Sequence, residues 1–252
     1  MASIASTIDC RLLCADICTY SIGLNGVFDE STCQQYYNAA GFSAPPVPFV
    51  AGSDGININA CLVGTIQEAP GAGGPAVVLA FRGTLAPTDP PTIPELLDWF
   101  NDFNAAPIAV SGITGMVHSG FWNSLMSLWP AALAEIKTQI SAGGGHLPLY
   151  ITGHSKGGAL ASLAAAQCAA VDGITPAGVY TFASPMTGDS AFVGWYNALG
   201  FPDIRYEYTD DIVPHLPPSP IVAELFASIP YMERRDRRGL AGTDVAALYQ
   251  SP

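Results

Sequence analysis

The apolar positions of this chain fall into short continuous runs that alternate with longer stretches of helical spacing. The continuous runs predict buried strands at residues 60–67, 76–81, 147–152, 178–182 and 203–208. The helical spacing predicts helices near residues 6–22, 120–140, 159–171 and 190–199. Strands that alternate with helices favour an α/β fold, with a mostly parallel central sheet and helices on both faces.

Two proline-containing stretches qualify this outline. The Pro-rich residues 44–48 are predicted to form a connector rather than an element. Pro130 lies inside the predicted helix over 120–140, and we expect it to kink that helix or to end its first part.

The size and composition fit one large domain over residues 1–252. Hydrophobic residues make up 49% of the chain and charged residues only 12%, which allows a sizeable core. No apolar run reaches the roughly 18 residues that a membrane span needs, so an integral membrane segment is not expected. The net charge of -12 argues against nucleic acid as a partner, because no basic patch is available to neutralise phosphates.

The six cysteines suggest a buried thiol face more than a metal site or a disulfide framework. Cys10, Cys14 and Cys18 recur every four residues and so share one stripe of the N-terminal helix. A metal site would need a fourth ligand such as Cys33, and paired Cys-x-x-Cys ligands are absent from the sequence. These spacings, and a first segment without signal-peptide features, favour a cytoplasmic location over secretion.

The most informative stretch is Gly-x-Ser-x-Gly at residues 153–157, between a predicted strand and a predicted helix. In that context the motif predicts a nucleophile elbow, with Ser155 on a tight turn at the carboxyl end of the sheet. Gly153 and Gly157 are expected there because side chains would block the close approach of strand and helix. The alternative interpretation is an ordinary turn.

Serine acyl transfer also needs oxyanion donors and an acid that orients a base. The N–H of Lys156 follows the nucleophile, and Thr84 ends a Phe-Arg-Gly-Thr run after an earlier strand. For the acid, Asp210 and Asp211 follow the strand predicted at 203–208. Taken alone, the Arg-Gly-Thr run could be a plain turn and the Asp-Asp pair a solvated one.

Together these motifs resemble the class 3 lipase family of fungal triacylglycerol lipases and their bacterial relatives. Matching runs occur in the family's order at residues 81–84, 98–102, 117–121, 153–158, 181–189 and 211–218. The resemblance implies an α/β-hydrolase fold, hydrolysis of lipid esters and no metal or organic cofactor. It implies that Ser155 is the nucleophile, Asp211 the triad acid, and Thr84 and Lys156 the oxyanion pair. It leaves structural roles for Asp210 and His118.

The sequence departs from the family at the catalytic base. Three of its four histidines, His118, His146 and His154, precede Ser155, and the side chain of His154 is expected to point into the fold. His215 follows Asp211 by only four residues. Relatives with the same run of residues carry a separate catalytic histidine further along the chain, so His215 is not expected to be the base. We therefore expect that residues 1–252 lack the C-terminal segment with the catalytic histidine. The alternative is a domain that has lost its base.

An amphipathic stripe next to the oxyanion run is a candidate interfacial lid. Ile93, Leu96, Leu97 and Phe100 fall at i, i+3, i+4 and i+7 after a Pro-rich insertion. A helix packed permanently on the core would show the same stripe. Two rivals to a lipid ester hydrolase stay open: a lipid- or protein-binding domain without catalysis, and an acyltransferase that uses the same serine.

Overall fold

The computed structural model describes residues 7–23, 25–53, 56–69, 73–84, 106–207 and 213–215. Within these residues the strands are β1 (Val47–Ser53), β2 (Ile56–Ile66), β3 (Ala76–Phe81), β4 (Pro107–Ala109), β5 (Met116–His118), β6 (Leu149–His154), β7 (Gly178–Phe182) and β8 (Asp203–Tyr206). The central sheet has the order β1-β2-β3-β6-β7-β8, and β4 pairs with β5 in a separate ribbon.

Strand directions place the ends of several strands together. β3, β6, β7 and β8 are parallel neighbours, so their carboxyl ends meet at one side of the sheet, which we call the carboxyl edge. β2 runs antiparallel to both β1 and β3. The amino-terminal half of β2 therefore also reaches the carboxyl edge, with Cys61 opposite Phe81.

Helices cover both faces of the sheet. The helices are α1 (Thr7–Cys18), α2 (Gln34–Ala40), α3 (Ser119–Ala142), α4 (Lys156–Gln167) and α5 (Ser190–Asn197). Residues of α1 and α2 join one hydrophobic cluster, and residues of α3, α4 and α5 join the other. The predicted α/β architecture, with a mostly parallel sheet and helices on both faces, is confirmed.

The continuous apolar runs follow from this two-sided burial. In β3, Val77, Leu79 and Phe81 face the α3 side, whereas Val78 and Ala80 face the α1 side. All six residues of β3 are buried. Since both faces of a mostly parallel sheet are covered, alternation of polar and apolar residues disappears from its central strands.

Residues 44–48 are not merely a connector, and the helix that contains Pro130 does not end there. β1 begins at Val47, and Pro48 pairs with Leu62, so residues 44–48 are not only a connector. Proline is tolerated in β1 because this strand lies at the edge of the sheet and has a neighbour on one side only. α3 continues through Pro130 as one helix of 24 residues. Pro130 is exposed, so water can reach the helix backbone where the proline removes a hydrogen bond.

Candidate active site

Ser155 lies on a strained crest between β6 and α4. Its backbone adopts φ 54° and ψ −127°, a conformation that residues with side chains rarely adopt. The N–H of Ser155 donates to the carbonyl of Phe182 at 2.9 Å, and its carbonyl accepts from Gly158 at 2.8 Å. Strain fixed by such contacts is typical of a functional turn, so the crest is the starting point for the site.

The glycines on each side of Ser155 are required by close backbone approaches. A Cβ at Gly153 would lie 2.2 Å from the carbonyl oxygen of Gly157. A Cβ at Gly157 would lie 2.1 Å from the carbonyl oxygen of Phe81, at the end of β3. The sequence-based reason for these glycines is confirmed, and the second contact brings the turn after β3 against the elbow.

The predicted oxyanion donors leave neighbouring strands at the same edge. Phe81 of β3 pairs with Gly153 of β6. Thr84 follows Phe81 by three residues, and Lys156 follows Gly153 by three residues. The hydroxyl oxygen of Thr84 is shielded from solvent and has no hydrogen-bond partner among the described residues. Lys156 begins α4, and N–H groups in the first turn of a helix have no acceptor within that helix. Helix N-termini favour nearby negative charge.

On the α1 face of the sheet, polar contacts that the sequence analysis missed hold the end of β6 and the turn after β3. Oδ1 of Asp16 accepts from the backbone N–H of His154 at 3.1 Å. The hydroxyl of Tyr20 lies 3.4 Å from Nδ1 of His154 and accepts a hydrogen bond from the backbone N–H of Gly83. Asp16 is 1% exposed, and burial raises its pKa to about 8 although the bond from His154 opposes the shift. An acid among the apolar residues of the carboxyl-terminal half of α1 was the available signal.

The expectation that His154 points into the fold is wrong, because this side chain is exposed. His154 is the last residue of β6, and the chain turns sharply at Ser155. The earlier residues of β6 are buried, whereas His154 lies at the exposed end of the strand. The side chain of Tyr20, which is itself 39% exposed, lies beside it.

The α3 face holds a second buried ionisable group, Lys156 itself. Its Nζ donates to Oδ1 of Asn59 at 2.8 Å, and Nδ2 of Asn59 donates to Oγ of Ser127 at 3.1 Å. Lys156 is 1% exposed, and burial lowers the pKa of its ammonium to about 8, with a smaller contribution from the charge of Arg82. Asn59 was also missed, although a polar residue within an apolar strand is a usable signal.

His118 makes structural contacts at the start of α3. Nδ1 accepts from the N–H of Phe121 at 3.4 Å, and the two rings stack with centroids 4.2 Å apart. Burial lowers the pKa of His118 to about 4, so the ring is neutral at pH 7.

The chain returns to the carboxyl edge directly after the segment that carries the predicted acid. Asp210 and Asp211 lie outside the described residues, as do the lid candidates Ile93, Leu96, Leu97 and Phe100. Val213 is buried in the core cluster of the α3 face. Arg205 of β8 donates to the carbonyl of Ser184 and, at 3.4 Å, to that of Pro214. His215 ends the short helical turn that starts at Val213.

The described part of the chain also bears on a metal site, on the cysteine stripe and on a membrane span. No group of three His, Cys, Asp or Glu side chains there is arranged to hold a metal ion. On the predicted cysteine stripe, Cys10 is exposed, Cys14 is partly buried and Cys18 is buried. None of the described helices is both long enough and apolar enough to cross a membrane.

A mostly parallel sheet that presents a serine on a strained crest after a central strand is the α/β-hydrolase fold. Solved lipases share it: lipase II from Rhizopus niveus aligns with a TM-score of 0.64 at 20% identity, over 86% of this chain and 76% of that one. The Rhizomucor miehei lipase in complex with its propeptide aligns with a TM-score of 0.62 at 24% identity, over 84% and 62% respectively.

The chain belongs to the class 3 lipase family. The model of this family matches residues 78–220. A secreted mono- and diacylglycerol lipase of Fusarium solani is 32% identical over 56% of this chain and 39% of its own length. The lipase of Rhizomucor miehei is 30% identical over 57% and 38% respectively. The chain thus matches about two fifths of the length of these relatives, and the resemblance that the motifs indicated is confirmed.

The expected cytoplasmic location is contradicted by these relatives. The relatives from Fusarium solani and Penicillium cyclopium are named as secreted lipases. The expectation depended on cysteine spacing and on the composition of the first residues. Neither feature measures the compartment, because free cysteines also serve as small buried hydrophobes, as Cys18 does here.

Proposed function

We propose that this protein hydrolyses carboxylic esters of lipids through an acyl-enzyme formed on Ser155. The observation that carries the proposal is the strained crest, which presents one hydroxyl-bearing residue at the carboxyl edge, where parallel sheets bind their ligands. Family membership supports ester hydrolysis as the reaction class.

The reaction needs one nucleophile and two donors at this edge. Oγ of Ser155 attacks the ester carbonyl carbon, and the carbonyl oxygen becomes an oxyanion that accepts hydrogen bonds from Thr84 and from the N–H of Lys156. Collapse of this intermediate breaks the ester bond and releases the alcohol, which takes the proton that Ser155 gave up. Water then attacks the acyl-enzyme by the same route and releases the fatty acid.

The proton of Ser155 needs a base, and Asp211 is our candidate for the acid that orients it. Val213, two residues after Asp211, is buried at the carboxyl edge, and Arg205 binds the carbonyl of Pro214. These contacts bring the residues that follow Asp211 in the chain close to β8. The family resemblance assigns the base to a histidine after Pro218, and the four histidines of this chain all precede that residue.

The proposed substrates are acylglycerols or similar fatty-acyl esters. Relatives named as mono- and diacylglycerol lipases support this class. We further propose that Ile93, Leu96, Leu97 and Phe100 form the apolar stripe of a lid that opens at a lipid surface. Replacing Leu96 and Leu97 with serine should lower the hydrolysis of emulsified lipid more than that of a soluble ester. Equal losses on both substrates would contradict the lid.

A fluorophosphonate probe tests the proposed chemistry directly, because it phosphonylates only an activated serine. We expect labelling of the protein that includes the segment with the base, which we call the unaltered chain, and no labelling of its Ser155→Ala variant. Ser162→Ala is the matched control, since Ser162 lies on the same helix but away from the crest, and it should be labelled as the unaltered chain is. Absence of labelling in a folded chain that is complete, with the segment that would carry the base, would support a lipid- or protein-binding domain. Transfer of the acyl group to an added alcohol in preference to water would instead indicate an acyltransferase.

A further inference from the structure

The side chain of Lys156 is costly where it lies. A buried ammonium loses its hydration. Lys156 also begins α4, where the positive end of the helix dipole disfavours a cation, and Arg82 adds a second positive charge. An apolar side chain at this position would avoid all three costs. Residues that break local rules in this way are expected at functional sites.

The contacts of Lys156 are arranged to hold a donor. Oγ of Ser127 donates to the carbonyl of Ser124 at 2.7 Å, so the same oxygen is free to accept from Nδ2 of Asn59. This fixes the amide of Asn59 with Oδ1 directed at Nζ of Lys156, 2.8 Å away. The ammonium therefore has a defined place rather than one of several rotamers.

That place is close to the turn that carries Thr84. The N–H of Arg82 donates to the carbonyl of Ala60 at 3.0 Å, so β2 continues alongside the turn after β3. Asn59 is the next residue of β2 in that direction, and it faces α3 as Cys61 does. The ammonium lies next to Asn59, and the backbone N–H of Lys156 itself is one of the proposed oxyanion donors.

We propose that the ammonium of Lys156, held in place by Asn59, stabilises the oxyanion by its positive charge, in addition to the hydrogen bond from the backbone N–H of Lys156. This inference depends on the proposed function. Asn59 is in this scheme a positioning residue, because it acts through Lys156. A charge that is unfavourable in the resting protein and favourable when the oxyanion forms raises the rate of the chemical step.

The groups around the ammonium decide how its charge depends on pH. On the α3 side the ammonium donates to the uncharged amide of Asn59, which in turn donates to the hydroxyl of Ser127. Arg82, which follows β3, contributes a positive charge that lowers the pKa of Lys156 further. On the opposite face, burial raises the pKa of Asp16 to about 8, so this carboxyl gains its charge in the same range.

The test compares Lys156→Met with the unaltered chain on a soluble p-nitrophenyl ester. Methionine keeps the length of the side chain and the backbone N–H but removes the charge. We expect kcat to fall about 10-fold with little change in KM, because the charge acts on the transition state. The melting temperature should rise, since a buried charge is replaced by an apolar group. Lower activity with higher stability is a combination that misfolding does not produce.

Two further variants separate position from charge. Asn59→Asp places a negative charge beside the ammonium, so kcat should fall although Lys156 is intact. Gln139→Met is the matched control, because Gln139 of α3 also bonds to β2, at the carbonyl of Val63, far from the crest. It should leave kcat unchanged. The fall in kcat as the pH rises through about 8 should be weaker in Lys156→Met than in the unaltered chain.

The outcomes are distinct. An unaltered chain that the fluorophosphonate probe does not label overturns both the proposed function and this inference. A labelled chain in which Lys156→Met has unchanged kcat overturns this inference alone. Complete loss of labelling in a folded Lys156→Met variant would make the lysine the base for Ser155, which also overturns it.

Discussion

The two faces of the sheet bury opposite ionisable groups beside the same turn. On the α1 face Asp16 binds the N–H of the residue before Ser155, and on the α3 face the side chain of Lys156, the residue after Ser155, binds Asn59. Burial moves both pKa values toward each other, to about 8 for each group. Although both groups have a pKa of about 8, the carboxyl of Asp16 is mostly neutral at pH 7 and the ammonium of Lys156 is mostly charged.

The difference separates a structural contact from an electrostatic one. A neutral carboxyl at Asp16 supplies a hydrogen-bond acceptor for the elbow, which an amide could supply equally well. A charged ammonium at Lys156 supplies a field, which no neutral side chain replaces. The α1 face therefore supplies a hydrogen-bond acceptor that holds the elbow, whereas the α3 face holds the ammonium that we propose acts on the oxyanion.

The largest effect on the reactivity of Ser155 is expected at Gly157, where the elbow contacts the end of β3. In Gly157→Ala the added Cβ would lie 2.1 Å from the carbonyl oxygen of Phe81 and would push the elbow away from the turn after β3. Fluorophosphonate labelling should slow by about 100-fold, since displacements near 1 Å have such effects. Gly194→Ala is the control, because nothing lies within 4 Å of its added Cβ. Equal labelling of the two variants would show that the contact does not position Ser155.

Asp16→Asn should stabilise the protein at neutral pH. The folded state holds Asp16 protonated up to about pH 8, whereas the unfolded chain ionises near pH 4. The stability that this group contributes is therefore complete below pH 4 and is lost as the pH rises from 4 to 8. Urea unfolding at pH 7 should show a gain on the order of 2–4 kcal/mol for the variant.

The kinetics of the same variant sharpen the comparison between the faces. The amide oxygen introduced by Asp16→Asn can still accept from the N–H of His154, so labelling at pH 7 should stay close to that of the unaltered chain. A stability gain that is the same at pH 4 and pH 7 would contradict the buried neutral carboxyl.

Of the three variants, Tyr20→Phe should have the smallest effect in free energy. It removes the acceptor for the N–H of Gly83 and the contact with His154. A lost hydrogen bond of about 1 kcal/mol corresponds to a roughly five-fold lower kcat on a soluble ester. Tyr37→Phe is the control, because Tyr37 packs between Phe28 and Phe42 on the same face of the sheet. Equal kcat values for the two variants would remove Tyr20 from the set of residues that position the oxyanion turn.

Sequence patterns predicted the elements that local rules determine. The apolar runs located β3 and β7 at their observed bounds, and Gly-x-Ser-x-Gly located the crest and the reason for its glycines. Chain-order motifs also indicated the family. Pro48 and Pro130 misled the prediction because an edge position and exposure to water make proline tolerable, and both are properties of the folded molecule.

The contacts around the crest depended on pairings that no local pattern contains. Asp16 meets His154 across 138 positions, and Asn59 meets Lys156 across 97. Nothing in the residues beside Lys156 indicates that its side chain turns into the fold, since a lysine in the first turn of a helix is ordinarily solvated. The roles of Asp211 and of the lid candidates stay predictions.

The site depends on the register in which β2 pairs with β3, although β2 contains no reacting group. A shift of its pairing with β3 by a single residue would turn Asn59 toward the α1 side and bring Ala60 in its place, because successive side chains alternate between faces. Homologues of this chain should therefore vary freely in the composition of the turns that flank β2 but conserve their length, even where those turns are remote from any substrate.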